Sequence, residues 1–526
     1  MKTNLFRLLI LFSALLASCS KEAQDTPAPT AVAHSEAATI QSSDDMMTLG
    51  RQLENPYTVS TMLKASNNLA ARGYSTNVNI RTTHLYVRFL PKSTQEYYLM
   101  AKDDALDIYD HPLDYEIAQS GGTYHDPSIP SDQYSWQYCA VKAGYKFPAI
   151  QYEVLAELYL PETDKAVADA SSLDLLENEA MVITGNSEPN TELRVASFTP
   201  GGRIQVRNVF QYRDFRDNQT KTVDQMIGLE GAQVRANRWF TTHRAITDEN
   251  GYYRMNDSFK NPCNYSIKWE RPDFDILDRA IFGQATLDGP KKSGDWNTDI
   301  TGGNQLFYAT IHRGAWDYYY NDQLRNSFGL KKPPTRDNIF QQRVSLLAKD
   351  ESATVNGDYS GWRAAFGFPH IRIFRSNRNS DEIYSTTVHE LAHASHQENR
   401  GWSSFNNVDD VITESWARCV QYYFTLYRFI RYAGGYEWAD RYQNTPIVRT
   451  PQLHAYTPMF LDMCDDFDQS YKYGPTRFID QWDGNYYMLR PIEQALSTAS
   501  TFQDLERLLN STGTDQSATD YYNQYK

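Results

Sequence analysis

Cysteine, basic residues and long apolar runs are all scarce in this chain, and each shortage excludes a class of protein. Five cysteines occur in 526 residues, and none has a neighbour at the spacing of a cysteine-based metal site. Lysine and arginine number 51 against 65 aspartates and glutamates, so the net charge of -14 argues against nucleic acid or an anionic membrane surface as a partner. Beyond a short N-terminal segment, no stretch approaches the roughly 20 apolar residues of a membrane span.

Histidine is also scarce, with 11 in the chain, yet two lie four residues apart in His389-Glu390-Leu391-Ala392-His393. On a helix, positions i and i+4 share a face, so both imidazoles can reach one metal ion. The intervening Glu390 lies about 100° around the helix and can point at a water on that ion, as in the HExxH motif of zinc proteases. The alternative interpretation is a pair of solvated histidines on a surface helix.

The residues around this motif predict a helix that begins after Asn379 and continues until Gly401. Asn379 and Glu382 have the spacing of a capping box. Small and apolar side chains then recur at helical intervals and form an inward stripe: Tyr384, Val388, Leu391, Ala392 and Ser395. Both histidines fall at the edge of this stripe, where a cleft would lie.

Two histidines are too few for a catalytic zinc site, which takes three protein ligands and leaves a fourth position for water. A third imidazole on the same helix, His396, would have to converge with the others across about 10 Å of helix rise, which is poor tetrahedral geometry. We interpret His396 as a neighbour of the site or a surface histidine. The metzincin pattern HExxHxxGxxH fails too, because its last histidine position holds Asn399.

A second helix is predicted from about Val408, with Glu414 on its flank, 21 positions after His393. Paired histidines followed by such a glutamate resemble the gluzincin superfamily of zinc metallopeptidases, which includes thermolysin. The resemblance implies a Zn²⁺ ion held by His389, His393 and Glu414, with Glu390 as the general base of peptide hydrolysis.

The chain departs from the thermolysin pattern at Arg418, where those enzymes place an aspartate that orients a histidine. The carboxylate would then come from elsewhere, with Asp409 and Asp410 as candidates, or the relation to thermolysin is distant. The resemblance also implies a donor to the oxyanion from a more C-terminal element. His454 and Tyr456 are the candidates, with ordinary packing as the alternative for either.

Gluzincins pair the substrate backbone with an edge strand that precedes the metal-binding helix. A strand of that small sheet is predicted at His370–Phe374, and the preceding residues 362–366 are candidates for the edge itself.

The N-terminus predicts an exported protein. Basic residues precede the apolar run Leu8–Leu16, and Leu16-Ala17-Ser18-Cys19 resembles a bacterial lipobox, in which the cysteine is lipidated. Residues 1–18 are therefore predicted to be a lipoprotein signal peptide and 19–45 a flexible tether rich in small and polar residues. This places the protein in the bacterial cell envelope, attached to the membrane through the lipid on Cys19 only. An ordinary signal peptide with a chance cysteine is the alternative.

An exported compartment permits disulfides among the other four cysteines, but the pairing stays open.

We predict an α+β multidomain fold. Residues 46–200 form an N-terminal α+β module with a helix at 53–72 and a strand at 83–91. Residues 201–275 resemble a carboxypeptidase regulatory-like β-sandwich, through Leu229–Val234 and the Asp–Gly turn of Thr247–Tyr253. Residues 276–526 form a mostly α zincin-like metallopeptidase domain with a small sheet, opening with a helix at 305–321 and closing with helices over 490–509.

Together these patterns predict a lipid-anchored zinc metallopeptidase that acts on a protein or peptide substrate. A different class fits as well: a surface-exposed lipoprotein that binds peptide or glycan through an inactive peptidase fold. The abundance of aromatic residues, 13% of the chain, suits either. Zinc content separates the two, because the binding protein does not need the metal.

Overall fold

The computed structural model describes residues 46–510 except 75–77, 102, 131–132, 167, 188–196, 215, 280–282, 334–342, 352, 354, 362, 364–369, 434–435, 438–456 and 465–488. The described residues form a mixed α/β structure of nineteen strands in five sheets and eleven α-helices. The predicted signal peptide, the tether and Cys19 lie outside them. Across the described residues, no helix is both long and apolar enough to cross a membrane.

The N-terminal region, residues 46–187, holds two small antiparallel sheets and three helices. Its elements are β1 (Thr48–Gln52), α1 (Val59–Ala71), β2 (His84–Leu90), α2 (Thr94–Ala101), β3 (Tyr115–Gln119), β4 (Gln137–Lys142), β5 (Gln151–Leu158), a 3₁₀ helix (Pro161–Asp164) and α3 (Ala170–Ile183). The helix predicted from Leu53 begins only at Val59, because the Thr58 side chain caps it by accepting a hydrogen bond from the Thr61 N–H at 3.1 Å. Strand β2 matches the predicted strand.

The next hundred residues are almost entirely strands. They are β6 (Gly201–Asp214), β7 (Gln219–Gly228), β8 (Gln233–Arg238), β9 (Thr241–Ile246), β10 (Tyr252–Arg254), β11 (Cys263–Lys268), β12 (Phe274–Arg279), β13 (Gly283–Gln284), β14 (Thr286–Lys292) and β15 (Thr298–Ile300). Strand β6 pairs with β7, β10 and β15, and a second sheet has the order β14-β11-β8-β9. The predicted Asp–Gly turn joins β9 to β10: the Asp248 carboxylate accepts the N–H groups of Asn250 and Tyr252, each at 2.9 Å, and Gly251 has φ 82°.

The remaining described residues are mainly helical and pack around a third sheet. Their helices are α4 (Gly303–Tyr320), α5 (Asp322–Phe328), α6 (Ser380–Arg400), α7 (Trp402–Phe405), α8 (Asp410–Ile430), α9 (Met459–Asp462), α10 (Leu489–Leu496) and α11 (Phe502–Asn510). Their strands are β16 (Val344–Lys349), β17 (Gly357–Tyr359), β18 (Ile371–Phe374) and β19 (Tyr436–Glu437). The third sheet has the order β13-β12-β16-β18-β17, in which β12, β16 and β18 are parallel and β17 is antiparallel to β18.

The predicted boundary between 275 and 276 falls inside a strand. Strand β12 spans this boundary. Strands before the boundary also pair with strands after it: β6 pairs with β15 and β19, and β11 pairs with β14. Buried side chains from both sides, such as Val206 and Leu391, also belong to one hydrophobic cluster. A fragment that starts at residue 276 would therefore cut β12 and expose the core of the remaining strands. The prediction missed this because the pairing partners are far apart in the sequence.

The cysteines other than Cys19 form no disulfide in the described part of the chain: Cys139, Cys263, Cys419 and Cys464. Cys419 is fully buried on α8, which agrees with its interpretation as a small apolar residue of the helix core.

Candidate metal centre

Helix α6 carries the paired histidines, and it begins and ends where the sequence predicts. The Asn379 N–H donates to Glu382 Oε2 at 2.8 Å, which is the Glu382 half of the capping box, and the helix ends at Gly401, whose φ is 83°. Unlike the predicted one-sided stripe, nearly every side chain from Ser380 to Gln397 is buried. The helix is therefore enclosed by protein, which rules out two solvated histidines on a surface helix.

Helix α8 carries the third candidate ligand and packs along α6. Asp409 caps it by accepting the Val411 N–H at 3.0 Å. From this start, Glu414 falls in the second turn and points at the histidines of α6. The second helix, predicted from about Val408, is therefore present and begins at Asp410.

Three side chains converge between these helices. The Nε2 atoms of His389 and His393 lie 3.1 Å apart. Glu414 Oε2 lies 3.3 Å from His389 Nε2, and Glu414 Oε1 lies 3.5 Å from His393 Nε2. The histidines are 2% and 3% exposed. Nitrogen and carboxylate donors at such distances, shielded from bulk water, could hold one metal ion.

The electrostatics of the site keep Glu414 ionised. Burial is the largest effect and opposes ionisation, but the charge and hydrogen bonds of His389 and His393 more than offset it, so the pKa of Glu414 lies well below its usual value. Metal ligands must be deprotonated, and the lowered pKa favours that form of the carboxylate.

The side chain that orients His389 is an amide. His389 Nδ1–H donates to Gln421 Oε1 at 3.1 Å, which leaves Nε2 directed at Glu414. The two carboxylates that were candidates for orienting a histidine have other positions. Asp409 caps α8, and Asp410 is exposed. The expectation that Asp409 or Asp410 orients a ligand is corrected to Gln421. His393 Nδ1 has no hydrogen-bond partner among the described residues.

Replacing Gln421 with leucine is expected to weaken metal binding by about 10- to 100-fold, the usual effect of losing a group that orients a ligand. Leucine is similar in size but cannot accept the His389 Nδ1–H, so the ring loses its fixed orientation. Gln421→Glu keeps an acceptor at the same position and should retain the affinity. Titration of the metal-free protein with Zn²⁺ measures both, and an unchanged affinity in Gln421→Leu would contradict the assignment.

Glu390 of α6 lies against strand β17. It is 4% exposed. A Cβ placed on Gly357 would lie 2.8 Å from Glu390 Oε1 and 2.9 Å from its Cγ, so the carboxylate occupies space that only glycine leaves open. Tyr359, two residues on, donates from its hydroxyl to Gln397 of α6 in a short hydrogen bond. Strand β17 is thus held along the helix that bears the histidines.

Among the described residues, the sheet ends on this side at β17, residues 357–359, and the sequence predicted an edge at 362–366. Most of 362–366 lies outside the described residues. The strand predicted at His370–Phe374 is present as β18, one position inside the sheet.

His396 takes no part in the convergence. It is 2% exposed, and its Nε2–H donates to the Leu496 carbonyl at 3.3 Å. Burial lowers its pKa to about 3, so the ring is neutral. Of the two interpretations open from the sequence, a neighbour of the site is the one observed. The two candidates for oxyanion stabilisation, His454 and Tyr456, lie outside the described residues.

Sequence reasoning missed Gln421 and Gly357. Gln421 lies seven residues after Glu414 and hence on the same face of α8, so helical spacing could have found it. Gly357 has no such local signal, because its role follows from how β17 meets α6.

Comparison with models of known protein families gives no match for this chain, and comparison with curated proteins gives none either.

Proposed function

We propose that this protein is a zinc-dependent metallopeptidase that hydrolyses peptide bonds of extracellular or periplasmic proteins. The observation that carries the proposal is the convergence of His389, His393 and Glu414 between two buried helices. A tetrahedral zinc ion with bonds of about 2.0–2.1 Å places neighbouring ligand atoms roughly 3.3–3.4 Å apart. The closest contacts between the three side chains, 3.1, 3.3 and 3.5 Å, scatter around that value.

Three protein ligands favour a catalytic ion over a structural one, since structural zinc sites are closed by four. No fourth histidine, cysteine or acidic side chain joins the group in the described part of the chain. When bound, zinc at such a site polarises a carbonyl and lowers the pKa of a water molecule. This is the chemistry that amide hydrolysis needs.

The protein supplies the remaining parts. Glu390 is the proposed general base, which takes a proton from the attacking water and returns it to the leaving amine. Because its Nδ1–H donates to Gln421, the imidazole of His389 would bind a metal through Nε2. Strand β17 ends its sheet beside Glu390 and is the proposed place for the substrate backbone, which would add to the sheet as a further strand.

The proposal is tested by measuring zinc content and cleavage of a fluorogenic peptide library. We expect about one zinc per chain, cleavage that stops on chelation and returns with added Zn²⁺, and loss of most of the zinc in Glu414→Ala. Glu398→Ala is the control, since Glu398 is an exposed glutamate near the end of α6. Full zinc in Glu414→Ala would contradict the ligand set. A zinc-free protein that cleaves nothing but binds peptide or glycan would support a binding lipoprotein instead.

A further inference from the structure

A cavity of about 190 Å³ lies between the N-terminal region and the strands that follow it. Six of its lining residues carry the argument, three from each side: Tyr57, Glu162, Glu177, Arg238, Thr241 and Phe259. The cavity has no part in the candidate metal centre. It is far larger than the roughly 10–15 Å³ that one water needs, and smaller than the roughly 300–1,000 Å³ of pockets for drug-sized molecules.

Two carboxylates line the cavity, and each accepts a hydrogen bond from a hydroxyl group. Glu162 Oε1 accepts from the Thr241 hydroxyl at 2.6 Å, and Glu177 Oε1 accepts from the Tyr57 hydroxyl at 2.5 Å. Both donors are neutral. Burial raises the pKa of Glu162, although the hydrogen bond from Thr241 and the charge of Lys165 oppose this rise. No cationic side chain of the described residues lies within salt-bridge distance of Glu162.

A buried guanidinium lines the same cavity. Arg238 is 9% exposed, and its nearest carboxylate oxygen is Glu177 Oε1, 3.8 Å from Nη2. Its guanidinium makes no hydrogen bond to a side chain of the described residues. Its donors therefore face the cavity, where water or a ligand can accept from them.

The other charges of the cavity already have partners. Lys260 is paired with Asp174 in a short contact, and Lys165 Nζ lies 3.4 Å from Asp257. What remains is a pair of carboxylates next to one guanidinium. Glu177 and Arg238 are each other's nearest counter-charge, at 3.8 Å, which is beyond hydrogen-bond distance, so both can still bind a charged ligand. A simple anion would face Glu162, and a simple cation would face Arg238.

We propose that this cavity binds a small zwitterion, the chemistry of a free α-amino acid or a short peptide. Its ammonium group would lie between Glu162 and Glu177, and its carboxylate would accept the free N–H groups of Arg238 in a charge-assisted hydrogen bond. Because both regions line the cavity, the bound molecule would also hold the N-terminal region against strands β8 and β9.

Calorimetric titration of the full-length protein tests this with five probes: L-alanine, L-leucine, the dipeptide Ala-Ala, propionate and ethylamine. Propionate has only the carboxylate and ethylamine only the ammonium. We expect at least one of the zwitterions to bind and to raise the thermal unfolding midpoint. The single-charge probes should bind at least about tenfold more weakly, since each lacks one of the two charge-assisted hydrogen bonds. Comparing the amino acids with the dipeptide shows whether the cavity binds a free amino acid or a short peptide more tightly.

Arg238→Gln and, separately, Glu162→Gln should each weaken the bound zwitterion by about tenfold or more. Arg207→Gln is the matched control, because Arg207 pairs with Asp224 on the exposed side of β6 and β7. Three results would overturn the proposal: no zwitterion binds, propionate or ethylamine binds as tightly, or both cavity variants bind like the wild type. None of these measurements depends on zinc or on peptidase activity, so their failure leaves the proposed function untouched.

Discussion

Replacing Glu390 with glutamine is expected to lower the rate of peptide hydrolysis by roughly 10²–10⁴-fold, the usual contribution of a general base. Glutamine has the shape of glutamate but cannot take a proton from water. It also fits the same space beside Gly357, where a Cβ would lie 2.8 Å from the carboxylate. Steady-state kinetics on a fluorogenic peptide measure the loss, and it should appear in kcat, because the base acts only in the chemical step.

Two further measurements separate lost chemistry from lost structure. Zinc content should be unchanged in Glu390→Gln, because the carboxylate is not one of the converging ligands. Glu398→Gln, the same substitution at an exposed position of the same helix, should retain full activity. Undiminished hydrolysis by Glu390→Gln would mean that another residue is the base.

Replacing Asp317 with alanine is expected to lower the free energy of unfolding by about 3–5 kcal/mol, the cost of leaving one member of a buried ion pair without its partner. Asp317 is fully buried on α4. Its Oδ2 accepts from Arg428 Nε of α8 and from the Tyr384 hydroxyl of α6, both at 2.6 Å. In the variant, Arg428 retains Glu230, 3.5 Å away, as its acidic contact among the described residues. Urea unfolding followed by circular dichroism measures the change.

The double variant Asp317→Leu with Arg428→Met is the control for this prediction. It removes both charges and should lose less stability than Asp317→Ala, because Arg428 no longer remains as a buried charge that has lost its main partner. Equal losses would show that packing, rather than the ion pair, accounts for the effect.

The ion pair also sets a pH dependence. Burial opposes ionisation of Asp317, but Arg428 more than offsets it and holds the pKa below its usual value. A carboxyl group whose pKa is lower in the folded state stabilises the fold above its unfolded pKa, about 3.9, and loses that contribution as the pH falls through the folded value. The cost of Asp317→Ala should therefore be largest near neutral pH and shrink below about pH 4.

The parts of the site that local sequence determines were predictable. The capping residues and the spacing of apolar side chains placed α6, and the i, i+4 relation put His389 and His393 on one face of it. Glu414 required only a second helix packed against the first. Each of these inferences uses helical geometry over one or two dozen residues, where the backbone leaves little freedom.

The parts of the fold and the site that depend on pairing between distant segments were not predictable from the sequence. The boundary at 275/276 was misplaced because the neighbours of β12 are β16, some seventy residues later, and β13. The edge of the sheet, β17, has three residues, too few for an alternating pattern. The partner of His389 was expected to be acidic by analogy, whereas the residue that reaches it depends on how α8 is rotated against α6.

Strand β6 limits how this protein could be recombined with others. It pairs with β10 and β15 near its start and with β19 at its end, and the Val209 N–H donates to the Ser380 hydroxyl in the first turn of α6 at 3.0 Å. A chimera that exchanged residues 201–275 as a ready-made cassette would therefore remove a support of the histidine helix itself. The strands and the helices that follow them have to be inherited, and engineered, as one block.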